Sequence, residues 1–216
     1  MSIVTIDDKF DDLFLHQFFD TVSNIPVCQD NVANRYSFPY GKKGTHTLQG
    51  QCIFARNGIN EVSVLWNPPE VVQDFFRILK HIEKIMCTKY FLHRIDLNVQ
   101  HKGADGCSHT DAENTEDLTI MMMTTPVWKP DWGGQFEIMN MQETEVDSTI
   151  DYVPGRVIVF PGIIPHRGLG PTVDGVYRST VVWRVTPLDI YMKRQSKTNW
   201  LYLLRSSSSV WSVSSQ

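Results

Sequence analysis

A histidine and an aspartate placed two residues apart, His109 and Asp111, carry the clearest chemical signal in this chain. On an extended strand, side chains at positions i and i+2 point to the same face, so we expect the two to stand side by side. An imidazole beside a carboxylate provides two ligands for a metal ion. His166, which follows a proline further along the chain, is the best candidate for a third ligand.

Two histidines and one carboxylate on one face form the ligand set of non-haem Fe(II) sites that react with oxygen, because three coordination positions stay open. Arg178 follows His166 by twelve residues, and Thr180 repeats the i, i+2 spacing. A guanidinium donates two parallel hydrogen bonds and keeps its charge, so Arg178 suits the far carboxylate of an organic acid. Arg184 would share that strand face and competes for the same role.

The segments around these residues favour strands. They are short, rich in β-branched or apolar residues, and bounded by turn signals such as Pro154-Gly155. Asp96 and Asn98 stand among apolar neighbours in the first of them. The strands that this pattern predicts cover residues 90–100, 118–125, 135–141, 156–160 and 177–185.

Two amphipathic helices are predicted before these strands. In residues 8–20, apolar side chains recur at helical spacing and should face the core, namely Phe10, Leu13, Phe14 and Phe18. The second helix begins at the Pro-Pro-Glu stretch 68–70 and continues to about Thr88. Helices followed by many short strands predict a mainly β fold, a sheet sandwich or small barrel with flanking helices.

Composition limits the classes of protein to which the chain can belong. Its 216 residues are enough for one domain, and the net charge of −4 does not favour broad binding to nucleic acid. No apolar run approaches the length of a membrane span, so no membrane partner is expected. Four scattered cysteines favour reduced thiols in the cytoplasm. The Ser-rich residues 206–216 are expected to form a flexible tail.

Taken together, the ordered motifs resemble the 2-oxoglutarate/Fe(II)-dependent dioxygenases, and most closely their prolyl 4-hydroxylase-like branch, including members carried by marine cyanophages. The similarity covers residues 92–186. The motifs that carry it are His109-x-Asp111, Trp128 with Gly133-Gly134, the Pro154-Gly155 turn with the apolar strand to Phe160, Pro165-His166, and Tyr177-Arg178-Ser179-Thr180.

This resemblance implies a double-stranded β-helix, the jelly-roll fold that cupins also have. It implies a single domain over residues 1–205, with supporting elements in 1–90 and the catalytic core in 91–186. Its metal ligands would be His109, Asp111 and His166, all binding Fe(II). Arg178 would bind the distal carboxylate of the co-substrate 2-oxoglutarate, assisted by Thr180. O2 is the second co-substrate, and ascorbate can support such enzymes.

The chain departs from the family pattern on the strand after His109-x-Asp111. Many relatives carry a tyrosine there that binds the co-substrate, whereas this chain has Met121, Met122 and Met123. Asp111 itself argues for hydroxylation, because the halogenases of this superfamily lack the carboxylate.

The resemblance implies hydroxylation of a prolyl residue in a peptide or protein, with release of succinate and CO2, in the cytoplasm (of the host, if the chain is phage-encoded). Two other enzyme functions stay open. The Arg178-x5-Arg184 spacing is that of the AlkB-like nucleic-acid demethylases, and a free amino acid is a further possible substrate. The non-enzyme alternative is a cupin-like binding module. The sequence does not predict the oligomeric state.

Overall fold

The computed structural model describes residues 2–32, 47–56, 62–63 and 69–196. The predicted Ser-rich tail at 206–216 lies outside these ranges. Within them the fold is mainly β, and residues 188–196 are helical. Its other elements, in chain order, are β1 Val4–Ile6, α1 Asp12–Ser23, β2 Cys28–Val32, β3 Thr47–Arg56, β4 Val62–Ser63, α2 Pro69–Ile85, β5 Tyr90–Gln100, β6 Leu118–Met123, β7 Phe136–Met139, β8 Val146–Ile150, β9 Val157–Pro161, β10 His166–Gly168 and β11 Arg178–Pro187.

The strands form two antiparallel sheets. The larger has the order β1-β9-β6-β11-β5-β3-β2, with β4 added beside β3, and the smaller has the order β10-β7-β8. The inner faces of the two sheets share one apolar cluster, to which Met121, Met123 and Val182 contribute from the larger sheet and Phe136 and Ile138 from the smaller. The sheets therefore pack face to face, as in a jelly roll.

Helices α1 and α2 cover the outer face of the larger sheet. Phe18 of α1 and Phe75 of α2 meet edge to face at 5.4 Å between ring centroids. Trp183 of β11 is fully buried beneath them and donates its indole N–H to the carbonyl of Phe75 at 3.2 Å. Because side chains alternate along a strand, this packing turns Arg178, Thr180, Val182 and Arg184 to the inner face.

The orientation predicted for α1 is wrong in one respect. Leu13 is 68% exposed, whereas the buried residues of the helix are Leu15, Phe18 and Val22. The helix begins after Asp11, whose side chain accepts a hydrogen bond from the amide of Phe14. Leu13 precedes Leu15 by two residues, which is about 200° around a helix and places it on the solvent side.

Most of the predicted strands are found within two residues of their expected ends. Helix α2 ends at Ile85, three residues before the predicted end, and Cys87 then adopts a positive φ of 49°. The exposed strand β8 was not predicted, because its sequence Val-Asp-Ser-Thr-Ile lacks an apolar periodicity. No helix among the described residues is long and apolar enough to cross a membrane.

Candidate active site

His109 and His166 face each other across a single antiparallel bridge between the loop after β5 and the start of β10. Each residue donates its backbone N–H to the carbonyl of the other, at 3.1 and 2.9 Å. This reciprocal pairing sets their side chains on one side, with ring centroids 4.5 Å apart. The prediction that His109 belongs to a regular strand is wrong, since this bridge is the only ladder contact that His109 makes among the described residues.

Asp111 reaches the two histidines from a bend and not from a strand. Its amide and that of Ala112 both donate to the carbonyl of Gly162, at 2.8 and 3.1 Å. A side chain on Gly162 would approach the Cβ of Ala112 to 2.8 Å, so the close contact requires glycine. The turn between β9 and β10 therefore fixes Asp111, which is why its side chain converges on the histidines without strand geometry.

One ligand atom from each of His109, Asp111 and His166 lies within 4.8 Å of the others. The Nδ1 atoms of the two imidazoles contact backbone carbonyls two residues earlier, those of Cys107 at 3.0 Å and Ile164 at 2.8 Å. Because a carbonyl only accepts, each Nδ1 must carry the proton, which leaves Nε2 with a lone pair for a metal. Both Nε2 atoms face the carboxylate of Asp111, at 3.9 and 3.5 Å.

The carboxylate of Asp111 is buried and ionised. Burial alone would raise its pKa, but the charge of Arg184 and the two imidazoles lower that pKa well below the ordinary value. Arg184 donates from Nη2 to Oδ1 at 2.9 Å, and the hydroxyl of Thr119 donates to Oδ2 at 2.7 Å. These contacts orient the carboxylate. Two imidazoles with one carboxylate are a donor set that fits Fe(II).

Arg178 is 2% exposed on the inner face of β11. Its Nε donates to the carbonyl of Gly134 at 2.9 Å and its Nη1 to the side-chain oxygen of Gln100 at 2.7 Å. Burial lowers the pKa of Arg178 to about 10, so the guanidinium is still charged at neutral pH. Its Nη2 is buried and has no partner among the described residues. A buried cation with an unused donor fits an anionic ligand.

Two glycines allow this arrangement of Arg178. A Cβ on Gly168 would meet Nη1 of Arg178 at 3.0 Å, and one on Gly134 would meet the ring of Trp128 at 2.5 Å. Gly134 also has a φ of +77°, which favours glycine. Gly168 lies two residues after His166 on β10, a separation of about 7 Å along a strand. Arg178 therefore lies beside the strand that carries His166.

The remaining predicted site residue, Thr180, is buried on the same face as Arg178 and pairs in register with Met123. The side chains of Met121 and Met123 belong to the apolar cluster between the sheets, and Met122 points to the helices. A tyrosine does lie beside Arg178, because the ring centroid of Tyr152 is 5.4 Å from its guanidinium carbon. Its hydroxyl already donates to the carbonyl of Ser179 at 2.6 Å, so it supports β11.

Several residues that hold the site were not predicted. Gln100 ends β5 and lies opposite Arg178 in the antiparallel register, but that register is known only after the strands are paired. Thr119 of β6 lies opposite Arg184, and this too is known only from the register of the paired strands. The polar residues at alternate positions 94, 96, 98 and 100 of β5 were the one signal in the sequence.

No family model and no curated protein matches this sequence. Solved structures do resemble it. An oxidoreductase of the 2OG-Fe(II) oxygenase family from Burkholderia pseudomallei aligns with a TM-score of 0.60 and 16% identity over 85% of this chain and 84% of its own. A prolyl hydroxylase from Trichoplax adhaerens, in complex with a hypoxia inducible factor peptide fragment, aligns with a TM-score of 0.58 and 13% identity over 87% of this chain and 84% of its own.

A third similar structure is the viral collagen prolyl hydroxylase of Paramecium Bursaria Chlorella virus-1 in its 2-oxoglutarate complex. It aligns with a TM-score of 0.53 and 12% identity over 87% of this chain and 97% of its own. At identities this low, the structural similarity establishes the fold alone. That fold agrees with the two face-to-face antiparallel sheets described above. The chain has the double-stranded β-helix fold of the 2-oxoglutarate/Fe(II) oxygenases.

Proposed function

We propose that this chain is an Fe(II)- and 2-oxoglutarate-dependent dioxygenase that hydroxylates a C–H bond and releases succinate and CO2. One observation carries the proposal. The ligand atoms of His109, Asp111 and His166 converge within 4.8 Å, close to a buried arginine, Arg178, that has an unused donor. A binding module of the cupin type would need no such pairing of a metal-ligand set with a charged anchor for a diacid.

Each part of the site has a distinct role in this proposal. His109, Asp111 and His166 would hold Fe(II), and the metal would supply the O2-activating chemistry for decarboxylation of the 2-oxo acid. Arg178 binds the distal carboxylate of 2-oxoglutarate and sets its orientation. The inner apolar cluster excludes water from the reacting groups, through Met121, Met123, Phe136, Ile138 and Val182.

The test is production of succinate from 2-oxoglutarate by the full chain with Fe(II), O2 and ascorbate. We expect turnover that requires iron and stops with a chelator. A wild-type protein that binds iron and 2-oxoglutarate yet forms no succinate with any added substrate would favour the cupin-like binding module.

The finer part of the proposal is that the oxidised carbon belongs to a prolyl residue in a peptide or protein. Two of the three structures reported above are prolyl hydroxylases, and one of these holds a peptide. We expect proline-containing peptides to stimulate succinate formation and to gain the mass of one oxygen atom. Peptides that stay unmodified while succinate forms would remove the prolyl assignment but leave the dioxygenase.

A specific contact favours nucleic-acid demethylation as the second candidate. Arg178 and Arg184 have the Arg-x5-Arg spacing, lie on one face, and Arg184 contacts the metal-ligand candidate Asp111. The test is loss of a methyl group from a methylated single strand. The net charge of −4 argues for the peptide substrate.

Gly168→Ala tests how Arg178 is held. The added methyl group would lie 3.0 Å from Nη1 of Arg178. Displacing the guanidinium should weaken 2-oxoglutarate binding by about 10-fold or more, since overpacking commonly costs 1–3 kcal/mol. Calorimetric titration of 2-oxoglutarate measures the effect. Gly175→Ala is a weak control for space, because nothing lies within 4 Å of its added Cβ, although its φ of +75° also carries backbone strain. Equal affinities in wild type and Gly168→Ala would contradict the close packing.

A further inference from the structure

Arg94 and Arg184 lie together on the inner face, beside the metal-ligand candidates. In the register between β5 and β11, Arg94 is directly opposite Arg184, and Asp96 is opposite Val182. Directly opposed residues of an antiparallel pair project to the same face. Arg184 contacts Asp111, so Arg94 lies on the face of the sheet that Asp111 approaches. The hydrogen bond to Asp96 is the main cause of the raised pKa of Arg94, and the negative charge of Asp111 adds to it.

Each of these arginines uses only part of its guanidinium. Arg94 donates from Nε to both carboxylate oxygens of Asp96, at 2.9 and 2.7 Å, and its two terminal nitrogens have no partner among the described residues. Arg184 donates from Nη2 to Asp111, and its buried Nε has no partner there either. The side chains are 41% and 38% exposed. Both side chains are thus partly exposed, and the terminal nitrogens of Arg94 are its unused donors.

Opposed like charges destabilise a strand pair, and here one buried aspartate compensates each arginine. Once the site is loaded as proposed above, positive charge is left over. The three arginines Arg94, Arg178 and Arg184 and an Fe(II) ion carry five positive charges. Asp96, Asp111 and the two carboxylates of 2-oxoglutarate carry four negative charges. One further anionic group would balance the site.

We propose that Arg94 and Arg184 form an anion-binding pair that holds a carboxylate of the primary substrate beside the reacting carbon. The proposal rests on the proposed function, of which it specifies the substrate class. The planar guanidinium of Arg94 presents two parallel N–H groups, a geometry that matches a carboxylate. The carboxylate has two possible sources, the α-carboxylate of a terminal or free prolyl residue and an acidic side chain next to the proline.

Matched substrate pairs that differ only in this group provide the test. N-acetylproline and N-acetylprolinamide probe the α-carboxylate, and amidated Gly-Pro-Glu and Gly-Pro-Gln probe the side chain. Binding is measured by calorimetry and hydroxylation by mass, both on the full chain with Fe(II) and 2-oxoglutarate. We expect the acid of one pair to bind about 10- to 100-fold more tightly than its amide, as charged hydrogen bonds allow.

The discrimination should depend on Arg94. In Arg94→Gln, the affinities for the acid and for its amide should differ by no more than about 3-fold. Arg94→Lys should retain part of the preference for the acid because it keeps the charge. The double variant Arg94→Gln/Asp96→Asn removes both partners, so its folding does not suffer from an unpaired buried aspartate. Arg156→Gln is the matched control, since Arg156 makes a similar two-bond pair with Asp7 away from the site. It should keep the full preference.

The outcomes separate this proposal from the proposed function. Wild-type turnover with equal binding of acid and amide in both pairs, or a preference unchanged in Arg94→Gln and in the double variant, would overturn the anion pair alone. Absence of iron-dependent succinate formation from all substrates would overturn the dioxygenase itself. Demethylation of a methylated single strand that depends on Arg94, without binding of either acid, would overturn the carboxylate proposal. The anion held by the pair would then be a phosphate.

Discussion

Replacing His109 by alanine is expected to abolish succinate formation, with a loss of at least about 1000-fold in turnover. Loss of a residue that merely orients a metal ligand typically costs 10- to 100-fold, so loss of a ligand should cost more. His109 is suited to this test because its side chain is partly exposed. The measurements are iron content per chain and the rate of 2-oxoglutarate decarboxylation at saturating iron.

The control for this variant is His16→Ala, which removes an exposed histidine of α1 that lies far along the chain from the site. It should bind iron and turn over like the wild type. If His109→Ala were to retain iron-dependent turnover within about 10-fold of the wild type, His109 would not be a ligand. The assignment of the metal site would then be wrong.

Replacing Arg178 by methionine is expected to weaken 2-oxoglutarate binding by at least about 100-fold, because charge-assisted hydrogen bonds contribute 1.5–3 kcal/mol and a bidentate contact contributes more than one of them. Methionine fills much of the volume of the arginine side chain, which limits the cavity left behind. Iron binding should persist, since the hydrogen bonds of Arg178 go to Gly134 and Gln100 and not to the ligand residues. Thermal unfolding with and without 2-oxoglutarate measures the change.

A ligand at 100 times its Kd adds about 2.7 kcal/mol to the stability of a protein. The wild type with iron should show a matching rise in Tm with 2-oxoglutarate, and Arg178→Met should lose it. Arg178→Lys is the conservative variant, and it should recover part of the affinity because it restores the charge without the planar fork. If 2-oxoglutarate raised the Tm of Arg178→Met as much as that of the wild type, Arg178 would have a purely structural role.

The order of the motifs in the sequence predicted that His109, Asp111 and His166 come together, and the structure brings their ligand atoms within 4.8 Å of one another. Arg178 begins β11, which alternates between the inner face and the helix-covered face. His166 begins β10, just after the buried strand β9. The periodicity of such strands determines which side chains share a face, and the order of the motifs determines the topology. Structural similarity to solved oxygenases confirmed the predicted fold.

Features that depend on tertiary contacts were not predictable. Asp111 is oriented by the carbonyl of Gly162, which is 51 residues away, so its position follows from a turn packing and not from local strand geometry. The pairing of Gln100 with Arg178 and of Arg94 with Arg184 requires the register of β5 against β11. Strand β8 has a polar sequence and is an edge of the smaller sheet. It is therefore recognised as a strand by its pairing with β7 and not by its sequence pattern.

The central claim is that a metal held by His109, Asp111 and His166 and the guanidinium of Arg178 bind one diacid together. The most direct measurement is an anaerobic calorimetric titration of 2-oxoglutarate into the wild-type chain, with and without one equivalent of Fe(II). We predict one binding site per chain, with an affinity that falls by about 100-fold or more when either the iron or Arg178 is removed. Binding that is equally tight without iron, or no binding with iron present, would contradict the account.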